Sequence, residues 1–132
     1  MQVTGAKINK NQTVLFVDDE EIVLDVGVKM LEKMGYTVFG ASDGKEAIEI
    51  YKKNQGKVDI IILDFHMPQM DGERVYEELK RIDPDLKILI STGYINNKQA
   101  AELLKRGCDG IIQKPFKIEE LSGKINKITH HH

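Results

Sequence analysis

The chain has 132 residues, 19 basic and 21 acidic, with a net charge of −2; 41% of it is hydrophobic and 30% charged. That length fits one domain able to bury a core without staples, and the interspersed charges leave no basic stripe of the kind direct nucleic-acid binding uses. A single cysteine, Cys108, excludes an internal disulfide and fits a reducing compartment. No stretch approaches the ~20 apolar residues of a membrane span or a signal-peptide core, so a cytoplasmic location without membrane contact is expected.

Taken in chain order, residues 1–11 read as an N-terminal extension and 12–128 as the domain. Val14-Leu15-Phe16-Val17 is a first strand ending at Asp18-Asp19. Val23, Val26, Met30, Leu31 and Met34 then recur at three- and four-residue steps, an amphipathic helix with Gly35 placed as its left-handed cap. Tyr36 to Gly40 is the second strand. Asp43 with Glu46 three residues on resembles a capping box opening a helix whose inner face is Ala47, Ile50 and Tyr51. Ile60-Ile61-Ile62-Leu63 is apolar throughout, as expected of a strand covered on both faces, and Asp64 follows it.

The third helix begins near Asp71-Gly72, carries Val75, Leu79 and Ile82, and stops before Pro84. Lys87 to Ser91 is the fourth strand, followed by Thr92. A weaker helix through Ala100, Ala101, Leu103 and Leu104 ends at Gly107, and Cys108 beyond it reads as a small buried side chain in a turn. Gly110 to Gln113 is the fifth strand, followed by Lys114-Pro115. Ile118, Leu121, Ile125 and Ile128 mark the last helix, with Gly123 a mild weakness inside it. Residues 129–132 read as a tail whose histidines look like a purification-tag remnant, set aside from metal-ligand reasoning. No effector domain is expected beyond that helix.

Five βα units with short connections are most economically solved by a parallel sheet with right-handed crossovers and helices on both faces. Ligands of such sheets bind beyond the carboxyl ends of the strands, where the winding reverses. That edge collects Asp18, Asp19, Asp64, Thr92 and Lys114. Three carboxylates together repel and raise one another's pKa. A hard cation removes the conflict, and Mg²⁺ suits it because it takes oxygen ligands and is often completed by phosphate. A carboxylate directly after a buried strand is costly unless it is paired or functional. The expected role of Asp64 is therefore nucleophile toward phosphorus, with Lys114 offsetting phosphoryl charge and Thr92 offering a hydroxyl. Pro115 admits a cis bond, which would fix the direction of Lys114. Taken singly, Asp18-Asp19 also fits a helix cap, and Lys114-Pro115 or Thr92-Gly93 a plain turn.

With Asp18-Asp19, Asp64 to Gly72, Thr92 and Lys114-Pro115-Phe116 in this order, the chain resembles a response-regulator receiver domain of two-component signalling over about residues 12 to 128. The resemblance implies an α/β fold with strand order 2-1-3-4-5 and phosphoryl transfer from a histidine kinase, or a histidine phosphotransfer domain in a phosphorelay, onto Asp64. It implies Mg²⁺ held by Asp18, Asp19, Asp64 and the backbone carbonyl of His66, with Thr92 and Lys114 on the phosphoryl group. It also implies a partner or a second copy docking on the fourth helix, fifth strand and fifth helix, and no turnover of a separate substrate. The chain departs from the pattern in two respects. Ile111 stands where the family often has an aromatic switch residue, so no rotating ring reports phosphorylation. His66 and Tyr94 border the path of water to the aspartyl phosphate, and their bulk is expected to lengthen its lifetime.

Other readings fit less well. A haloacid-dehalogenase-type phosphatase places its nucleophile after the first strand, with a second Asp two residues on, where this chain has Asp64 after the third strand and His66. A flavodoxin-like FMN carrier needs a phosphate-friendly first loop, which Asp18-Asp19-Glu20-Glu21 is not. The remaining alternative is a receiver-like docking module that works without phosphorylation.

Overall fold

The computed structural model describes residues 12–66, 72–93 and 96–130. Five strands, β1 (Thr13–Val17), β2 (Thr37–Ala41), β3 (Ile60–Asp64), β4 (Ile88–Thr92) and β5 (Gly110–Gln113), alternate with five helices. The helices are α1 (Glu21–Lys33), α2 (Gly44–Lys53), α3 (Gly72–Ile82), α4 (Asn97–Lys105) and α5 (Ile118–Thr129). The sheet is parallel throughout, in the order β2-β1-β3-β4-β5, as expected.

Side-chain alternation along each strand builds two cores. Leu15, Val17, Ile61, Leu63, Ile88 and Ile90 point to one face and pack with Ala47 and Tyr51 of α2, Val75 and Leu79 of α3 and Leu103 of α4. Val14, Phe16, Ile60, Ile62, Leu89 and Ile112 point to the other, under Leu31 of α1 and Leu121, Ile125 and Ile128 of α5. The central strands are buried on both sides, which explains their unbroken apolar runs. At about 1.5–3 kcal/mol per fully buried aliphatic side chain, these strands supply much of the force that holds the sheet edge in place.

Register levels the carboxyl ends. Val17 lies beside Ala41 and Leu63, Asp64 beside Ser91, and Thr92 beside Gln113. The chain leaves β1 for β2 and returns past it to β3, so the crevice between β1 and β3 is the switch point of the winding.

Several local expectations hold, and others need correction. Gly35 and Gly107 end their helices at φ 101° and 103°, where a side chain would be strained. The second strand lies one residue later than read, and the fourth extends through Thr92. Asp43 caps α2 by accepting from the Glu46 N–H, at 2.8 Å. The return bond of a capping box is absent, because the Glu46 carboxylate turns to the N–H and hydroxyl of Ser42. A complete capping box joins Asn96 and Gln99 at the start of α4 instead. In α1, Val26 is not inward; it is half exposed, and Ile22 more so. In α4, Ala101 and Leu104 are exposed, and Leu103 is the one buried side chain among the described residues of the helix.

Candidate metal and phosphoryl site

Each chemically active side chain rides on a strand end. Asp18 follows β1 and Asp64 closes β3; both are almost wholly buried, while Asp19 is half-buried. Thr92 closes β4 and is fully buried, and its carbonyl accepts from the Lys114 N–H at 2.7 Å, which ties the start of the β5–α5 connection to β4. The Lys114–Pro115 peptide is cis.

Carboxylate oxygens of Asp18, Asp19 and Asp64 lie within 4.8 Å of one another. Lys114 Nζ reaches over them, 3.0 Å from Asp18 Oδ2, 3.5 Å from Asp64 Oδ2 and 3.8 Å from Glu20 Oε1. The Glu20 N–H donates to Asp18 Oδ1 (2.9 Å) and the His66 N–H to Asp64 Oδ1 (3.2 Å). Asp19, Glu20, Asp64, His66, Gly93 and Lys114 line an open depression of about 520 Å³. Tyr94 and residues 67–71 lie outside the described residues.

Three carboxylates face one ammonium. At 4.8 Å a pair of like charges repels by roughly 3 kcal/mol at an effective dielectric of about 20, and with one ammonium among three carboxylates the edge keeps a net negative charge. The imbalance shows in Asp64, whose pKa is raised to about 6 by burial and by the neighbouring Asp18 and Asp19, against the opposing pull of the His66 N–H and Lys114. Burial works against the Lys114 ammonium, but Asp18, Asp64 and Glu20 outweigh it and raise its pKa. The donors are all oxygen, with one side open to solvent, as Mg²⁺ prefers. The residues present therefore fit a hard divalent cation.

The structure brings Asp19, Asp64, His66 and Lys114 around one depression, with Asp18 buried against Asp64 and Lys114 and Thr92 buried at the end of β4. Ile111 is half-buried against the core beneath α2, α3 and α4. Cys108 is buried, and burial raises its thiol pKa, the inert form. Two features beside the site were not anticipated. Gly72 sits so close to Phe65 that an added Cβ would lie 2.6 Å from its Cα and carbonyl oxygen, so the start of α3 bears directly on the residue after Asp64. An apolar groove of about 480 Å³ also runs from Lys114 and Pro115 to Ile22, Val23, Val26 and Met30. The off-phase Ile22 was its only trace in the sequence.

The family model for the response regulator receiver domain matches residues 14–126. The sensor kinase CckA of Brucella abortus is 36% identical over 121 residues, covering 92% of this chain but 13% of the kinase. The chemotaxis protein CheY of Thermotoga maritima is 34% identical over 117 residues, 88% of this chain and 96% of that protein. The crystal structure of the response regulator TrrA from Thermotoga maritima, in complex with Mg(2+)-BeF, superposes with a TM-score of 0.77 at 30% identity, covering 89% of this chain and 98% of that one. The chain is thus nearly as long as some of its relatives and a small part of others. By strand order, family match and these likenesses, it belongs to the response regulator receiver domains of two-component signalling.

Proposed function

We propose that Asp64 is the phosphoacceptor. In this reading an Asp64 carboxylate oxygen attacks the phosphorus of a phosphohistidine on a histidine kinase or histidine phosphotransfer domain. A P–O bond forms as the P–N bond breaks, and the electron pair leaves with the imidazole, which takes up a proton. Asp18, Asp19, Asp64 and the His66 carbonyl would hold Mg²⁺, which when bound supplies positive charge beside the transferred group. Lys114 lies on the same side as Asp64 Oδ2 and would pair with a phosphoryl oxygen; Thr92 would donate its hydroxyl to another. His66 is exposed at the rim of the depression and, with Tyr94, is proposed to slow the approach of water. The exposed Ile22 and Val26 lie in the groove that ends at Lys114 and offer the donor protein an apolar foothold beside the acceptor.

One observation carries the proposal: a buried aspartate with a carboxylate oxygen within 4.8 Å of those of two other acids, and a lysine 3.5 Å away. A structural acid at a strand end needs none of those neighbours. Docking without phosphorylation is not favoured, because the full polar set meets at one edge. The test is intact-protein mass spectrometry after incubation with acetyl phosphate and Mg²⁺. Gain of one phosphoryl group is expected, abolished by EDTA and by Asp64→Asn. No gain in the unaltered protein, or equal gain in the Asn variant, would overturn the reading.

A further inference from the structure

Ser91, in β4, lies beside Asp64 in the register of the sheet, with Ile112 on its other side. Residues paired across neighbouring strands share a face, and side chains two apart along a strand return to it. Ile62 and Leu89, two residues before Asp64 and Ser91, both belong to the core under α1 and α5, as does Ile112. The Ser91 side chain is therefore on the same face of the sheet as that of Asp64, one strand away.

Ser91 is 2% exposed, and its Oγ has no hydrogen-bond partner among the described residues. A buried hydroxyl in that state weakens the fold. With Leu89 and Ile112 as its neighbours on that face, an apolar side chain would pack there without the cost. Packing alone gives no reason for a serine at this position.

The acceptor gives one. Two donors stand at the Asp64 carboxylate, the His66 N–H at 3.2 Å from Oδ1 and the Lys114 ammonium at 3.5 Å from Oδ2. In the reaction proposed above, Lys114 pairs with a phosphoryl oxygen, so its hold on the carboxylate slackens as the bond to phosphorus forms. We propose that Ser91 is a positioning residue for this transfer: its hydroxyl donates to the Asp64 carboxylate in the reacting state and keeps it aimed while Lys114 engages the phosphoryl group. The inference rests on Asp64 being the acceptor. Turning the hydroxyl breaks no bond, so the interaction is gained on the way to the transition state and is absent from the ground state, the condition for lowering a barrier. Ser91 acts through Asp64 and keeps its proton throughout.

The experiment times phosphoryl uptake from acetyl phosphate at saturating Mg²⁺ by intact-protein mass spectrometry, beside urea denaturation in EDTA. Ser91→Ala removes the hydroxyl and little else. It should take up the group at least about tenfold more slowly, with a half-saturating Mg²⁺ concentration within about twofold of the parent's and a urea midpoint no lower. Ser91→Thr, a hydroxyl on a β-branched stem suited to a strand, should recover most of the rate. An Ala variant as fast as the parent would overturn the inference. So would a lower urea midpoint, which means a bond already made at rest, a lost rate that more Mg²⁺ restores, or a folded Thr variant as slow as the Ala one. An unaltered protein that takes up no phosphoryl group defeats the reading of Asp64 itself, so the two failures are told apart.

Discussion

Replacing the proposed nucleophile should make the metal-free protein more stable. Asp64 is buried, and its pKa stands at about 6 against an ordinary 3.8. Holding it ionised in the folded state at neutral pH costs about 3 kcal/mol at 1.36 kcal/mol per unit. Asp64→Asn removes the charge and keeps an oxygen to accept from the His66 N–H, but gives up the 3.5 Å contact with Lys114. The net expectation is a gain of about 1–2 kcal/mol, which at a urea slope of about 1.5 kcal/mol per M moves the midpoint up by about 1 M. The assay is urea denaturation at pH 7.5 in EDTA, repeated with Mg²⁺. The unaltered protein should gain about 1.4 kcal/mol when Mg²⁺ is ten times its dissociation constant, and the Asn variant much less. A variant less stable than the parent in EDTA, or one stabilised by Mg²⁺ as fully as the parent, would refute the claim that unbalanced negative charge governs this edge.

The same charge fixes a pH dependence. Because the folded pKa of Asp64 is raised, the folded chain holds the proton more tightly than the unfolded one, so this group's contribution to stability falls as pH rises from about 4 to about 6. The urea midpoints of parent and Asp64→Asn should therefore converge near pH 4 and separate above pH 6; a constant gap would contradict this. Lys114→Met strips the ammonium from a nearly buried Asp18 and should cost about 3 kcal/mol in EDTA, with part restored by Mg²⁺, in the same denaturation series. Gly72→Ala places a Cβ 2.6 Å from the Phe65 backbone, forcing the β3–α3 connection outward. A loss of about 2 kcal/mol and weaker Mg²⁺ binding by calorimetry are expected, since the His66 N–H bond to Asp64 lies on that connection.

The chemistry was legible because each active residue directly follows an apolar run, and the alternation of strand and helix leaves little freedom about which ends of those runs meet. Helix faces were harder. Val26 fits the three- and four-residue spacing of the buried stripe in α1, yet the inward side is Gly27 and Leu31. The reason lies across the interface: the Phe16 ring fills the space over Gly27, where a Cβ would come within 2.2 Å of it. Gly27 is the socket for an aromatic ring, and that pairing sets the helix so that Ile22 and Val26 face solvent. Spacing along one helix does not encode a partner on a strand.

Position after a buried strand put Asp64 forward as the nucleophile, and the hydrogen bonds around the two buried acids favour it over Asp18. Both oxygens of Asp18 are engaged, Oδ1 by the Glu20 N–H at 2.9 Å and Oδ2 by Lys114 at 3.0 Å. Asp64 has one oxygen held by the His66 N–H, and the other meets Lys114 only at 3.5 Å. Asp64 also lines the open depression, whereas Asp18 does not. A nucleophile needs an accessible lone pair, and a carboxylate clamped on both oxygens has little to offer. Asp18 is thus suited to holding charge, and Asp64 to forming a bond. Asp18→Asn should accordingly still accept a phosphoryl group from acetyl phosphate, at least about tenfold more slowly and with little response to Mg²⁺, while Asp64→Asn accepts none. If mass spectrometry found the reverse order, the roles assigned from these contacts would have to be exchanged.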